Sequence, residues 1–141
     1  KALALTPFVP SLFSKLAGTQ TQVRQLIATT GSTLDEAGQA LYLYLMQKPA
    51  HVSATLAMMA QWNLTPFLRR MTNQTTPTLL ITASNDRAVP ASVSERAAQV
   101  MPAATWLDIP DYGHLVHEEA PDLVAAPILA FLARFTASGA A

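Results

Sequence analysis

The chain has 141 residues, a formal net charge of zero and no cysteine. Its length suits one ordinary domain, and its neutrality excludes the basic footprint that nucleic acid or an anionic membrane surface requires. Without cysteine, disulfides, thiolate metal sites and a cysteine nucleophile are excluded. Charged residues make up only 13% of the chain, against about 25% in typical soluble domains. Either the chain is unusually buried, or another chain or segment covers part of its apolar surface.

Several other functional classes lack a signal in this sequence. No apolar run reaches the roughly 18 residues that a membrane-spanning helix needs, and the first residues lack a full signal-peptide pattern. The carboxylates and histidines never approach a ligand spacing such as His-x-x-x-His. We therefore predict no membrane span, no metal site, no other cofactor and a cytoplasmic location.

The first part of the chain is predicted to be helical. Ser11 is a suitable N-cap for a short helix that stops near Gly18. Residues 20–29 carry apolar side chains at helical spacing, and Gly31 stands where a C-terminal cap glycine would. The Thr33-x-x-Glu36 spacing has the form of a capping box that opens the next helix.

Two further helices are predicted to start at prolines. Pro49 opens a helix that reaches Gln61, and Pro66 repeats the signal for a short helix. Helices that follow one another without a strand do not fit a βαβ pattern, so residues 1–74 are predicted to form a separate helical cap, or lid. We expect Met58 and Trp62 to line the apolar wall of a ligand cleft.

Residues 75–141 show a different pattern, strand–helix–strand–helix. The short apolar run from Leu79 to Ala83 is typical of a strand buried on both faces, and residues 105–109 form a second run closed by Pro110. A helical period covers residues 90–101 between the two runs, and a last amphipathic helix is predicted over residues 121–135. The pattern predicts an α/β fold in which the two strands are parallel.

The parallel strands bring two polar side chains to one edge of the sheet. Asp86 follows the first strand and His114 follows the second, and ligands bind at the carboxyl ends of strands in open α/β sheets. A carboxylate that orients a histidine is the base half of a catalytic triad. The alternative is that residues 84–86 only form a turn and that His114 is an ordinary surface histidine.

Four rival residues fit these roles less well. His117 stands at a predicted helix start, where a solvated capping role is favoured, and His51 is interpreted as structural. Asp108 lies within a strand, and Asp111 is too close in sequence to His114 to need a βαβ unit to present it. No G-x-S-x-G nucleophile elbow and no His-Gly oxyanion segment occur anywhere in the chain.

Two motifs carry a resemblance to a known family. Ser-Asn-Asp-Arg-Ala-Val-Pro at residues 84–90 and Asp-Tyr-Gly-His-Leu-Val-His-Glu-Glu at residues 111–119 resemble the carboxyl-terminal part of an α/β-hydrolase. The family's chain order is nucleophile, acid, histidine. The resemblance implies that Asp86 is the acid, that His114 is the histidine and that residues 1–74 are the helical cap before the last βαβα unit of a mostly parallel sheet.

A narrower resemblance involves the cap. Residues 30–32, 41–43, 49–52, 56–60 and 85–90 are similar to the magnesium chelatase accessory proteins of bacteriochlorophyll biosynthesis. Since the nucleophile half is absent from this chain, we expect it upstream, in the amino-terminal half of the same hydrolase. Either the polypeptide is cleaved and that half is a separate chain, or residues 1–141 are a fragment of a longer protein.

Two hypotheses follow from the resemblance. In the first, Asp86 and His114 complete a triad that hydrolyses an ester or similar acyl bond of a small apolar substrate, with Met58, Trp62, Val89 and Leu115 as substrate-binding residues. In the second, the protein is a non-catalytic accessory protein that binds a porphyrin-like ligand or a magnesium chelatase subunit.

Overall fold

The computed structural model describes residues 18–136. The helix predicted to begin at Ser11 lies outside the described residues. The described residues form two compact units, one of residues 18–28 and 34–66 and the other of residues 29–33 and 67–136. The predicted division into a cap of residues 1–74 and a βαβα part of residues 75–141 stays a prediction.

Three helices dominate the first unit: α1 (Gln20–Thr29), α2 (Glu36–Met46) and α3 (Pro49–Gln61). The proline at the first position of α3 starts that helix as predicted. Val23 and Val52 are buried. The Gln39 side chain ties α1 to α2, because its Oε1 accepts hydrogen bonds from Gln20 Nε2 at 3.2 Å and from Arg24 Nε at 3.4 Å.

The capping box predicted at Thr33 is wrong. The N-cap of α2 is Asp35, whose Oδ1 accepts a hydrogen bond from the Gly38 backbone N–H at 2.7 Å. Thr33 instead donates its own backbone N–H to the Glu119 carboxylate at 2.7 Å. A contact between residues that are distant in sequence has therefore overridden the local capping signal.

The second unit carries the strand–helix–strand–helix pattern. Its elements are β1 (Thr78–Ala83), α5 (Ala91–Val100), β2 (Ala104–Ile109), the short helix α6 (Val116–Glu119) and α7 (Pro121–Thr136). A short helix α4 (Thr65–Leu68) and a 3₁₀ turn (Met71–Asn73) precede β1. The strands pair in parallel, from Thr78 opposite Ala104 to Ala83 opposite Ile109, which confirms the predicted α/β arrangement.

The core of the second unit lies at the carboxyl ends of the strands. Ala83, Ile109 and Val116 are buried there, and Ile81 and Val124 pack against them. The burial expected for the first strand is only partial: Thr82 and Ala83 are buried, and residues 78–81 are half-buried. In β2, Trp106 is 36% and Leu107 37% exposed, because the sheet formed by residues 18–136 has two strands and leaves these side chains without a covering layer.

Within residues 18–136, no helix combines the length and the apolar character needed to cross a bilayer. The same residues contain no group of three carboxylate or histidine side chains placed to hold a metal ion. The cytoplasmic location stays a prediction.

Candidate active site

The loops after β1 and β2 are joined by their backbones at the edge of the sheet. Ser84 N–H donates to the Ile109 carbonyl at 3.0 Å, and Asn85 N–H donates to the Tyr112 carbonyl at 2.9 Å. We call residues 84–90 the acid loop and residues 110–115 the histidine loop. One bond from the acid loop to the end of β2 and one bond between the two loops continue the sheet pairing by a few residues, so the two polar side chains emerge side by side.

Asp86 is held by its own loop and contacts His114. Its Oδ1 accepts hydrogen bonds from the backbone N–H groups of Ala88 and Val89, both at 2.8 Å. Its Oδ2 lies 2.8 Å from His114 Nδ1, across 28 positions of sequence. The Asp86 side chain is 11% exposed and that of His114 is 41% exposed, so the carboxylate is the buried partner and the ring is the accessible one.

Burial and hydrogen bonding act in opposite directions on Asp86. Partial burial raises the pKa of the carboxyl, but the Val89 N–H, the His114 ring and the Ala88 N–H together outweigh it and hold the pKa below its ordinary value. The group is therefore a carboxylate at neutral pH. Asp86 keeps this charge because each of its oxygens has a donor.

The charge of Asp86 decides which His114 nitrogen carries the proton. A carboxylate can only accept hydrogen bonds, so the 2.8 Å contact with Nδ1 requires a proton on that nitrogen. In the neutral ring the lone pair then lies on Nε2. The arrangement presents an oriented base, with the other ring nitrogen held by an anion.

A cavity of about 280 Å³ adjoins the Asp86–His114 pair. Val89 and His117 also line it, and most of the remaining lining is apolar, contributed by residues such as Ile81, Ala83, Val116 and Val124. A small, largely apolar cavity beside a polar pair is typical of a small-molecule site.

Of the four predicted substrate-binding residues, one lines the cavity and three do not. Val89 lines the cavity, whereas Leu115 is only 9% exposed and is not part of its lining. Met58 lies in α3 and Trp62 directly follows it, both about half exposed in the first unit. The substrate-binding roles of all four stay predictions.

The rival residues have other partners. Asp108 Oδ1 accepts from the Thr82 hydroxyl at 2.7 Å, and the backbone N–H of Asp111 donates to Ser84 Oγ at 2.9 Å. His117 lies inside α6 rather than at its cap, with Nε2 3.6 Å from Glu118, and His51 lies exposed on α3. Neither Asp108 nor Asp111 holds the His114 ring.

Comparison with known proteins identifies the fold family of the chain. The sequence model of the α/β-hydrolase fold matches residues 4–121. This chain belongs to the α/β-hydrolase fold family. The acid-then-histidine order of Asp86 and His114 follows the order of the triad residues in α/β-hydrolases.

The chain is similar to one protein by sequence and to another by structure. It is 42% identical over 132 residues to the magnesium-chelatase 30 kDa subunit of Rhodobacter capsulatus, covering 94% of this chain and 46% of that protein. It also matches the structure of MGS-M2, an α/β-hydrolase enzyme from a Medee basin deep-sea metagenome library, with a TM-score of 0.62 at 17% identity over 90% of this chain and 50% of the other. The chain spans about half the length of the curated relative it matches.

Sequence reasoning missed one segment near the site. Residues 29–33 belong to the second unit and contact both the acid loop and the histidine loop. The only local signal was Gly31, which indicated the end of a helix. Its φ of +83° agrees with that role, but nothing local indicates partners more than fifty positions away.

Proposed function

We propose that Asp86 and His114 serve as the acid and the base of a hydrolase that cleaves an ester or a similar acyl bond. The 2.8 Å contact between Asp86 Oδ2 and His114 Nδ1 carries this proposal. The accessible ring, the low Asp86 pKa and the apolar cavity beside them support it. Because the chain spans about half of its relative, the proposal concerns the complete protein and takes the nucleophile from outside residues 1–141.

The proposed chemistry is a proton relay at Nε2 of His114. The nucleophile's O–H proton moves to Nε2 while its oxygen attacks the acyl carbon, and Asp86 stabilises the imidazolium that forms. The same proton then passes from Nε2 to the departing alkoxide, which leaves as an alcohol. In the second half, His114 takes a proton from water, whose oxygen attacks the acyl carbon of the acyl-enzyme. The bond to the nucleophile's oxygen then breaks, the acid is released, and His114 returns the proton to that oxygen.

The test is hydrolysis of short aryl esters by the complete protein. His114→Ala should lower kcat/KM by about a thousandfold or more, since the base acts in both halves of the reaction. His51→Ala is the control, because it removes an exposed imidazole on α3 that does not line the cavity, and it should keep most of the activity. Equal losses in the two variants, or full activity in His114→Ala, would contradict the proposal.

A second candidate function is favoured by the 42% identity to a magnesium-chelatase subunit. Here the complete protein binds a porphyrin-like ligand or a chelatase subunit and performs no hydrolysis. A fluorophosphonate probe separates the candidates, because it labels an activated serine and not a binding site. Labelling that requires His114 favours the hydrolase. No labelling, together with porphyrin binding that is unchanged in His114→Ala, favours the accessory protein.

A further inference from the structure

The loop of residues 30–33 contacts both partners of the acid–base pair through their backbones. We call it the bridging loop, and we propose that it is a positioning element that sets the distance between Asp86 and His114. The inference rests on the proposed function, since it gives this loop a role in the same site. Its residues are Thr30, Gly31, Ser32 and Thr33.

One carbonyl of the bridging loop links the two functional loops directly. The Thr30 oxygen accepts a hydrogen bond from Arg87 N–H at 3.1 Å and another from His114 N–H at 3.3 Å. Arg87 directly follows Asp86. A single backbone atom therefore fixes the backbone of the histidine relative to the backbone beside the acid.

Two glycines allow the loops to approach this closely. A Cβ on Gly31 would collide with the Asn85 carbonyl oxygen, and a Cβ on Gly113 would collide with the Gly31 carbonyl and the Ser32 nitrogen. Gly31 also has a φ of +83°, which side chains rarely tolerate. The contact between the acid, bridging and histidine loops is thus a backbone-to-backbone contact that a side chain at either position would separate.

Two side chains complete the connection on the histidine side. Ser32 Oγ accepts the Leu115 N–H at 2.8 Å, and Ser32 is only 2% exposed. The Glu119 carboxylate accepts Thr33 N–H at 2.7 Å through Oε1 and Gly113 N–H at 3.3 Å through Oε2. The residue after His114, Leu115, is therefore bonded to the bridging loop directly through Ser32. The residue before it, Gly113, is bonded to Glu119, which also bonds the bridging loop.

These contacts act on the backbone and leave the His114 ring to Asp86. Loss of a backbone contact would shift the imidazole relative to the carboxylate, and small misplacements of reacting groups are costly in rate. The expected signature is a change in kcat and in the His114 tautomer, with little change in KM.

Ser32→Ala and Glu119→Gln in the complete protein test this role, with Ser92→Ala as the control on the exposed surface of α5. Long-range ¹H–¹⁵N spectra report which ring nitrogen of a histidine carries the proton, and the His114 signals are assigned by their loss in His114→Gln. Wild-type protein should show the proton on Nδ1. In the two bridging variants, Ser32→Ala and Glu119→Gln, part of the His114 population should carry the proton on Nε2 instead of Nδ1. Ser92→Ala should leave the proton on Nδ1.

The kinetic expectation is a fall in kcat of about ten- to a hundredfold in the bridging variants, with KM nearly unchanged. If Ser32→Ala fails to fold, Glu119→Gln still decides, because Glu119 is partly exposed and its replacement keeps the side chain's shape. Folded bridging variants that keep the wild-type tautomer and kcat overturn the proposal. So does a wild-type ring with its proton on Nε2.

The tautomer readout separates this inference from the hydrolase proposal. A tautomer change in the bridging variants without any ester turnover would refute hydrolysis and leave the positioning role standing. Turnover that depends on His114 but is unaffected in both bridging variants would support hydrolysis and refute the positioning role.

Discussion

Replacing Asp86 by asparagine should keep the fold of the site and move the His114 ring proton from Nδ1 to Nε2. In the wild-type site Asp86 Oδ1 accepts the N–H groups of Ala88 and Val89, both at 2.8 Å. An amide NH₂ cannot accept these bonds, so the asparagine oxygen must take the Oδ1 position. The NH₂ group then occupies the Oδ2 position, 2.8 Å from Nδ1 in the present geometry.

The consequence for catalysis follows from this orientation. The amide donates to Nδ1, so the ring proton moves to Nε2, and the neutral ring no longer offers a lone pair to the nucleophile. The imidazolium also loses its anionic partner. The same substitution in a serine-protease triad lowers kcat by about ten-thousandfold, which corresponds to about 5.4 kcal/mol of transition-state stabilisation at 1.36 kcal/mol per tenfold. We expect a loss of that order here.

The assay is kcat/KM for an aryl ester, measured with the complete protein and combined with thermal unfolding. Asp86→Asn should melt close to wild type, because the two loop hydrogen bonds are kept. Asp111→Asn is the matched control: Asp111 has a φ of +68°, which asparagine also tolerates, and it does not contact the His114 ring. An Asp86→Asn protein with more than about a tenth of wild-type turnover, or an equal loss in Asp111→Asn, would refute the assigned roles.

Three further predictions concern stability. The Asp86 pKa is held below its ordinary value of 3.8, so the Asp86 carboxylate stabilises the folded protein above that pH, and this contribution is lost as pH falls through the folded-state pKa. Urea unfolding at pH 5 and at pH 3 should therefore show a smaller fall in the free energy of unfolding in His114→Ala than in wild type. An equal fall in the two proteins would contradict this linkage. Gly31→Ala should lower the free energy of unfolding by about 2 kcal/mol or more, because it combines a left-handed φ with a backbone collision; a urea midpoint equal to that of wild type would argue against it. The 141-residue chain expressed by itself should bind a hydrophobic dye, since Trp106 is 36% and Leu129 66% exposed; a dye-silent monomer that unfolds cooperatively would show this reasoning to be wrong.

Local sequence was enough to predict the elements that matter for the site. Apolar periodicity and a starting proline predicted α3, and short apolar runs predicted β1 and β2 to within a residue or two. The proximity of Asp86 and His114 was also predictable, because the carboxyl ends of parallel strands meet at one edge of a sheet. Chain direction alone carries that inference, and it needs no knowledge of distant contacts.

Contacts between distant residues were beyond local patterns. The Thr33-x-x-Glu36 spacing satisfied the capping rule, yet Thr33 bonds Glu119, 86 positions away, and Asp35 caps the helix instead. Gly31 indicated a helix end, but its backbone contact with Asn85 and Gly113 depends on where the second unit brings those loops.

The sequence by itself thus determined which residues form helices and strands and that a carboxylate and an imidazole share one sheet edge, because both follow from local periodicity and strand direction. Only the tertiary structure decided that Asp86, and not Asp111, holds Nδ1 of His114, and that Ser32 bonds the backbone of Leu115. Hydrogen bonds of this kind depend on ångström-scale placement of loops whose residues are far apart in the chain. No spacing rule encodes that placement, because it results from the packing of the whole unit.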